Sequence, residues 1–238
     1  MKSFIIRIEG HPLSTQLAKD AYDTCVSASI TPEYFNAIVP ATLGNFFATN
    51  PVSMSAEFLT YSKDNGPRTQ ACFASHYLLW KKCVELNEKI IIMEHDGYML
   101  NPVTDIVDQV EDVCHLDPSR KVRFNTYPYY LAITEPRGVL NDFDNPEQYL
   151  PNPYKEQRGS LSPIFFRGAY AYILTPSGAN KLINHVNTHG ASGADRNMAK
   201  NVLRLQITNV SYARLNPIFK KAIDVQTYST RAIDGGSI

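Results

Sequence analysis

The run Lys89-Ile90-Ile91-Ile92-Met93 stops abruptly at Glu94-His95-Asp96, and no other segment constrains the fold as much. A short apolar run that ends in two carboxylates reads as a buried strand delivering acid to the edge of a sheet. Side chains two apart on a strand point the same way, so Glu94 and Asp96 are expected to converge. A bare pair of carboxylates repels itself unless a cation or a basic group sits between them. Mg²⁺ or Mn²⁺ holding phosphate oxygens suits such a pair; the plainer reading is a strand that runs out into a solvated acidic turn.

The chain has 238 residues, enough for one α/β domain spanning 1–238 with a core that folds without staples. Its 23 basic and 23 acidic side chains cancel, so no overall field draws it to nucleic acid or anionic lipid. The basic clusters are only pairs: Lys81-Lys82, Arg120-Lys121 and Lys220-Lys221. The cysteines, Cys25, Cys72, Cys83 and Cys114, are widely spread; without a Cys-x-x-Cys pair they read as reduced, mostly buried thiols. The apolar run Phe4 to Ile8 is too short for a signal peptide, and no later run reaches membrane-spanning length. A cytoplasmic location is the expectation.

Phe4 to Ile8 reads as a first strand. Leu13, Leu17, Ala21 and Cys25 recur as one face of a following helix, and Glu33 to Val39 as a second strand. That order suggests a parallel βαβ start. Neither a Gly-x-Gly-x-x-Gly turn nor a Walker lysine loop is present, which removes the common dinucleotide and P-loop readings. Pro40 to Asn65 is irregular, with Phe46, Phe47, Phe58 and Tyr61 interspersed, as in a lid or recognition surface. Gly66-Pro67 opens a helix whose buried stripe is Cys72, Ser75 or His76, Leu79, Cys83 and Leu86. Beyond Asp96 the pattern gives Tyr98 to Leu100, a helix from Val103 to Cys114, a strand from Lys121 to Asn125, a second irregular stretch from Tyr127 to Pro163 and a strand from Ile164 to Thr175. Thr175-Pro176 then caps a helix that runs to His189 and stops at Gly190.

Several polar residues in these elements have a bland and a functional reading. Ser75 and His76 sit in an apolar stripe, where bonding to neighbouring groups in the core is the simpler role; as adjacent helix residues they are no nucleophile and base pair. His185 and His189 stand four apart, a spacing that can grip a metal, but at a helix C-terminus they read first as a pair favoured by the dipole. Asp195 follows a glycine-rich turn and reads as a helix N-terminal cap.

Cys72, Ser75, His76 and Trp80; Ile90 to Met93 with Glu94-His95-Asp96; Tyr172-Ile173-Leu174 with Gly178, Ala179 and Leu182; and Asp195 occur in that order. The set resembles glycosyltransferase family 25, the lipooligosaccharide β-galactosyltransferases and procollagen galactosyltransferases. That family carries Cys-x-x-Ser-His-x-x-x-Trp, an apolar strand ending Glu-Asp-Asp, a Tyr-Leu-Ile segment with Gly-Ala and Leu, and an Asp near a helix start. The likeness runs from Pro67 to about Asn201. His95 replaces the family's middle aspartate.

The resemblance implies a single GT-A-like, Rossmann-like α/β domain with a mostly parallel sheet flanked by helices. It further implies metal-dependent transfer of a hexose, galactose or glucose, from a nucleotide sugar of the UDP-hexose type to a glycan acceptor with inversion, as in lipopolysaccharide biosynthesis. On this basis Asp96 and Glu94 would hold Mn²⁺ or Mg²⁺, Asp195 would be the catalytic base, and Arg7, Val39, Arg68, Ser75, His76 and His95 would line the donor side. The rival is a transferase-like module that binds glycan or protein after losing its chemistry, for which His95 is the support. A hydrolase with Glu94 and Asp96 as paired acids is weaker, because glycosidase carboxylates flank the bond from opposite sides.

Overall fold

The computed structural model describes residues 1–55, 66–117, 122–124, 127–129, 140–142, 165–166, 168–199, 202–208 and 210–218. Phe58, Tyr61, most of the second irregular stretch and the pairs Arg120-Lys121 and Lys220-Lys221 lie outside the described residues.

Strand β1 (Lys2–Arg7) pairs in parallel with β2 (Thr31–Asn36) on one side and β3 (Ile90–Glu94) on the other. Helix α1 (Pro12–Ser27) makes the crossover; His11 caps it, accepting from Ser14 N, and Leu17, Ala21 and Cys25 are buried as their spacing requires. The second strand begins and ends earlier than its pattern suggests. Its partner β1 stops at Arg7, so the ladder closes with Ala37 N donating to Arg7 O at 2.7 Å, and Ile38 and Val39 run on beyond the sheet.

The remaining strands among the described residues are β4 (Gly97–Met99), β5 (Val113–His115), β6 (Val122–Phe124), β7 (Tyr127–Tyr129), β8 (Leu140–Asp142), β9 (Phe165–Phe166), β10 (Ala171–Leu174), β11 (Leu205–Thr208) and β12 (Ala213–Leu215). The main sheet has the order β2-β1-β3-β10-β5-β11-β8. β10 is antiparallel to both its neighbours and β8 to β11, so five of the seven strands share one direction. Period-two alternation divides β3 between two cores. Ile90 and Ile92 face the cluster built on α3 (Gly66–Leu86), α2 (Leu43–Thr49) and α4 (Pro176–His189). Ile91 and Met93 face α1 on the other side.

Three expectations are corrected. The stretch 103–114 is not a helix: a 3₁₀ turn, Val107–Gln109, precedes β5. Val103, Ile106 and Val110 are buried as the helical spacing demands, yet Lys89 Nζ donates to the carbonyls of Val107 and Asp108 at 2.8 and 3.3 Å, and the following residues pair between β10 and β11. The first irregular stretch contains α2, which buries Leu43 and Phe46; the Phe46 ring meets Phe73 and Tyr77 edge-on. The strand from Ile164 is broken: Gly168 turns the chain at φ +76°, and β9 joins β6 and β7 in a separate sheet.

Helix α4 matches its sequence signature. Thr175 accepts from Gly178 N at 3.0 Å, and the helix stops at Gly190, where φ is +84°. All four cysteines are thiols, three buried and Cys72 half-buried. Among the described residues no helix is long and apolar enough to cross a membrane.

Candidate active site

The carboxyl ends of β1, β2 and β3 open on one cleft. Its walls are Ile6 near the end of β1 and Ile8 just after it, Ala37 to Pro40 after β2, Arg68, Ala71, Cys72, Ser75 and His76 on α3, and Glu94 and His95 at the end of β3. Each side chain is there for a local reason. Glu94 continues the Ile90, Ile92 face of β3, the face covered by α3. Ser75 donates to Ala71 O at 2.9 Å and accepts from Ile38 N at 2.9 Å, so it ties the helix to the segment that forms the opposite wall. On α3, Cys72 and His76 stand four apart and share a face.

Behind the cleft a buried network sets the orientation of His76. Trp80 Nε1 donates to Tyr172 Oη at 3.0 Å, and Tyr172 Oη lies 2.9 Å from His76 Nδ1. Trp80, Tyr172 and His76 are wholly buried. An indole can only donate, and burial pushes the Tyr172 hydroxyl pKa well up, so the tyrosine keeps its proton and gives it to Nδ1. His76 then carries its own proton on Nε2 and donates to Glu94 Oε1 at 3.3 Å. Register places Tyr172 there: it sits opposite Ile92, with its side chain on the α3 face.

His95 takes the other side of the strand end. Burial pushes its pKa down to about 4; nearby Glu94 and the Ile6 carbonyl favour the charged ring, while His11 opposes it. Its Nε2 is buried without a hydrogen-bond partner, and the ring lines the cleft. Gly97 permits the turn that follows, since a Cβ there would stand 2.9 Å from Met93 Cε and 3.0 Å from Tyr170 O.

Asp195 lies in the four-residue helix α5 (Ala194–Asn197), whose cap is Gly193, not Asp195. Its Oδ2 instead accepts from Gly168 N at 2.8 Å. β10 runs antiparallel to β3, and Glu94 N donates to Tyr170 O at 2.9 Å. Gly168 and Asp195 are therefore at the same sheet edge as Glu94, although Asp195 does not line the cleft.

Residues 19–198 match the sequence profile of glycosyltransferase family 25, described as LPS biosynthesis protein. The chain belongs to glycosyltransferase family 25. Membership supports a role in glycosyl transfer. A comparison with curated proteins finds no match. Among solved structures this family 25 chain is similar to the galactosyltransferase LgtC in complex with donor and acceptor sugar analogs, at 9% identity over 87% of this chain and 73% of that one, with a TM-score of 0.41. It is also similar to a putative glucose-1-phosphate thymidylyltransferase from Bacillus anthracis in complex with a sucrose, at 10% identity over 100% and 98% of the two chains and a TM-score of 0.42. A third is mouse xyloside xylosyltransferase 1 in its apo form, at 10% identity over 83% and 80% and a TM-score of 0.31.

In the family 25 chain, Val39, Arg68, Ser75, His76, Glu94 and His95 come together in the cleft. Three of the expected residues do not: Asp195, held at Gly168 N, Arg7 and Asp96. Arg7 lies with its guanidinium 4.2 Å over the Tyr34 ring and its Nε on Asn36 Oδ1 at 3.3 Å, a position that side-chain alternation from the buried Ile6 dictates. Asp96 is buried beyond the end of β3, in the turn to β4, and does not line the cleft. The strand ends at Glu94, so the same-side rule no longer holds for the next carboxylate.

Asp96 does not line the cleft beside Glu94, and the donor atoms grouped with Glu94 there are a thiol and an imidazole, a softer set than the all-oxygen ligands that Mg²⁺ prefers. Cys72 and Tyr172 belong to the site although the sequence reading gave them no role. For Cys72 the available signal is its spacing of four from His76.

Proposed function

We propose that the chain transfers a hexose, galactose or glucose, from a uridine diphosphate sugar to a hydroxyl of a glycan acceptor, with inversion at the anomeric carbon. The observation that carries this reading is the cleft where the ends of three parallel strands meet α3, in a chain of this family. In open α/β sheets, ligands sit in the crevice outside the carboxyl ends of the strands. The nucleoside lies against Ile8, Ile38, Val39 and Pro40, with the buried, unpartnered His95 Nε2 available to it. The Arg68 guanidinium pairs with the diphosphate, for which its planar fork is suited. Ser75 acts at one remove, holding the Ile38 backbone.

Asp195 is the base. Gly168 N fixes its Oδ2, leaving Oδ1 to take the acceptor proton. The acceptor oxygen bonds to the anomeric carbon from one face while the bond to the diphosphate oxygen breaks on the other, and the electron pair leaves with the nucleoside diphosphate.

The test is acceptor-dependent release of nucleoside diphosphate from UDP-galactose and UDP-glucose. Asp195→Asn should lower turnover by about 10²–10⁴-fold with donor affinity unchanged by calorimetry. Arg68→Ala should weaken donor binding. Full turnover in Asp195→Asn would leave that carboxylate a tie to Gly168 and nothing more. Stabilisation of the wild type by glycan alone, with no effect of nucleotide sugar, would replace the enzyme with a glycan-binding module.

A further inference from the structure

We propose that Cys72, His76 and Glu94 form a site for a divalent cation of borderline softness, Zn²⁺ or Co²⁺, on the inner wall of the cleft. It goes beyond the transferase reading, because it stands on the ligand set alone and survives if no transfer is found.

One ligand atom from each residue lies within 4.8 Å of the other two: the Cys72 sulfur, a His76 ring nitrogen and a Glu94 carboxylate oxygen. His76 Nε2 and Glu94 Oε1 are 3.3 Å apart. Nitrogen and oxygen bound at about 2.0–2.1 Å to one tetrahedral ion stand about 3.3 Å from each other, so that edge of the polyhedron is already in place. Sulfur, bound at about 2.3 Å, asks for edges of about 3.6 Å. The Cys72 sulfur, within 4.8 Å of the other two atoms, then needs to close by about 1.2 Å at most, within reach of a rotation about its Cα–Cβ bond.

The donor set selects the ion. Mg²⁺ requires oxygen ligands in octahedral order, whereas a thiolate, an imidazole and a carboxylate suit Zn²⁺ and its neighbours. Three protein ligands leave the fourth position open, as in sites that keep a water or substrate on the metal, and all three residues line the cleft.

The network behind His76 serves as the outer support. On binding, Nε2 gives its lone pair to the ion and the ring proton moves to Nδ1, which donates to Tyr172 Oη. That oxygen has two lone pairs, one for His76 and one for the Trp80 N–H. A partner of this kind holds a metal-bound histidine in orientation. The Cys72 thiol loses its proton to solvent, so one proton leaves per ion bound and affinity rises with pH.

The other thiols are poor competitors. Cys25, Cys83 and Cys114 are buried, and burial pushes Cys25 up to about 11 and Cys83 up to about 12.

The test uses the full chain, stripped of metal and titrated with Co²⁺ alone, with no donor sugar. Thiolate-to-cobalt charge-transfer absorption in the near ultraviolet should appear and saturate at a single ion per chain. Zn²⁺ should abolish it and Mg²⁺ in large excess should not. Cys72→Ser, checked for an unchanged far-ultraviolet circular dichroism spectrum, should lose the band. Tyr172→Phe should keep the band and weaken Co²⁺ affinity by about 10–100-fold. Absence of the band in the wild-type chain overturns the proposal, as does a band that persists undiminished in Cys72→Ser or yields to Mg²⁺.

Discussion

Replacing Tyr172 by phenylalanine removes one oxygen atom and strands two buried polar groups. That oxygen accepts from Trp80 Nε1 at 3.0 Å and lies 2.9 Å from His76 Nδ1, and none of the three side chains is exposed to solvent. The ring stays, with its stacking on His76 and its tilted contact to His115, so little packing is lost. A buried donor or acceptor left without a partner costs about 1–3 kcal/mol, and two of them about 2–6 kcal/mol. For a chain of this size each kcal/mol lowers Tm by about 2–4 °C. Urea denaturation at neutral pH should therefore give a lower midpoint with an unchanged m-value.

A double-mutant cycle with Trp80→Phe sharpens the test. Once the indole N–H is gone, Tyr172→Phe strands only His76 Nδ1, and its cost should fall by about 1–2 kcal/mol, the size of coupling expected for groups in one network. A loss in Tyr172→Phe of under about 0.5 kcal/mol, or strictly additive costs in the cycle, would refute the claim that this hydroxyl joins the two rings.

Acid should destabilise the fold through His95. Its pKa in the folded chain is about 4, against about 6.5 when unfolded, so between these values the unfolded chain binds more protons and stability falls as pH falls. The contribution is complete above about pH 6.5 and lost by about pH 4, and the gap corresponds to about 3 kcal/mol. Denaturation midpoints across that window should fall less in His95→Gln than in the parent; parallel curves would remove His95 as the cause. Gly178→Ala should destabilise by about 1–3 kcal/mol despite the better helix propensity of alanine. The added Cβ would lie 2.5 Å from Asp112 O, and Asp112 cannot yield: Thr175 N donates to its carbonyl at 3.0 Å, and Lys181 Nζ and Arg204 N hold its carboxylate at 2.6 and 2.8 Å. A melting temperature equal to the wild type would contradict that rigidity.

Elements whose signals are local were legible in the residues themselves. Helix α4 begins at a capping threonine followed by proline and ends at a glycine with positive φ. The isoleucine run gave a central strand, and the spacing of Leu17, Ala21 and Cys25 gave the buried face of α1. The family, too, could be read from the order of Cys72, Ser75, His76, Trp80 and Glu94. The same periodicity misled at Val103, Ile106 and Val110, because it reports which residues are buried and not which backbone buries them.

Tertiary structure alone decided the contents of the cleft. β3 ends at Glu94, which leaves Asp96 in the turn and off the cleft wall, and the pairing of Tyr172 with Ile92 across β10 and β3 put a hydroxyl against His76. α3 then brought a sulfur and an imidazole to a carboxylate 18 residues from His76 along the chain. Alternation and helical spacing fix which face a side chain takes, while strand register and turns fix which atoms of different elements meet, and the chemistry of a site depends on the second.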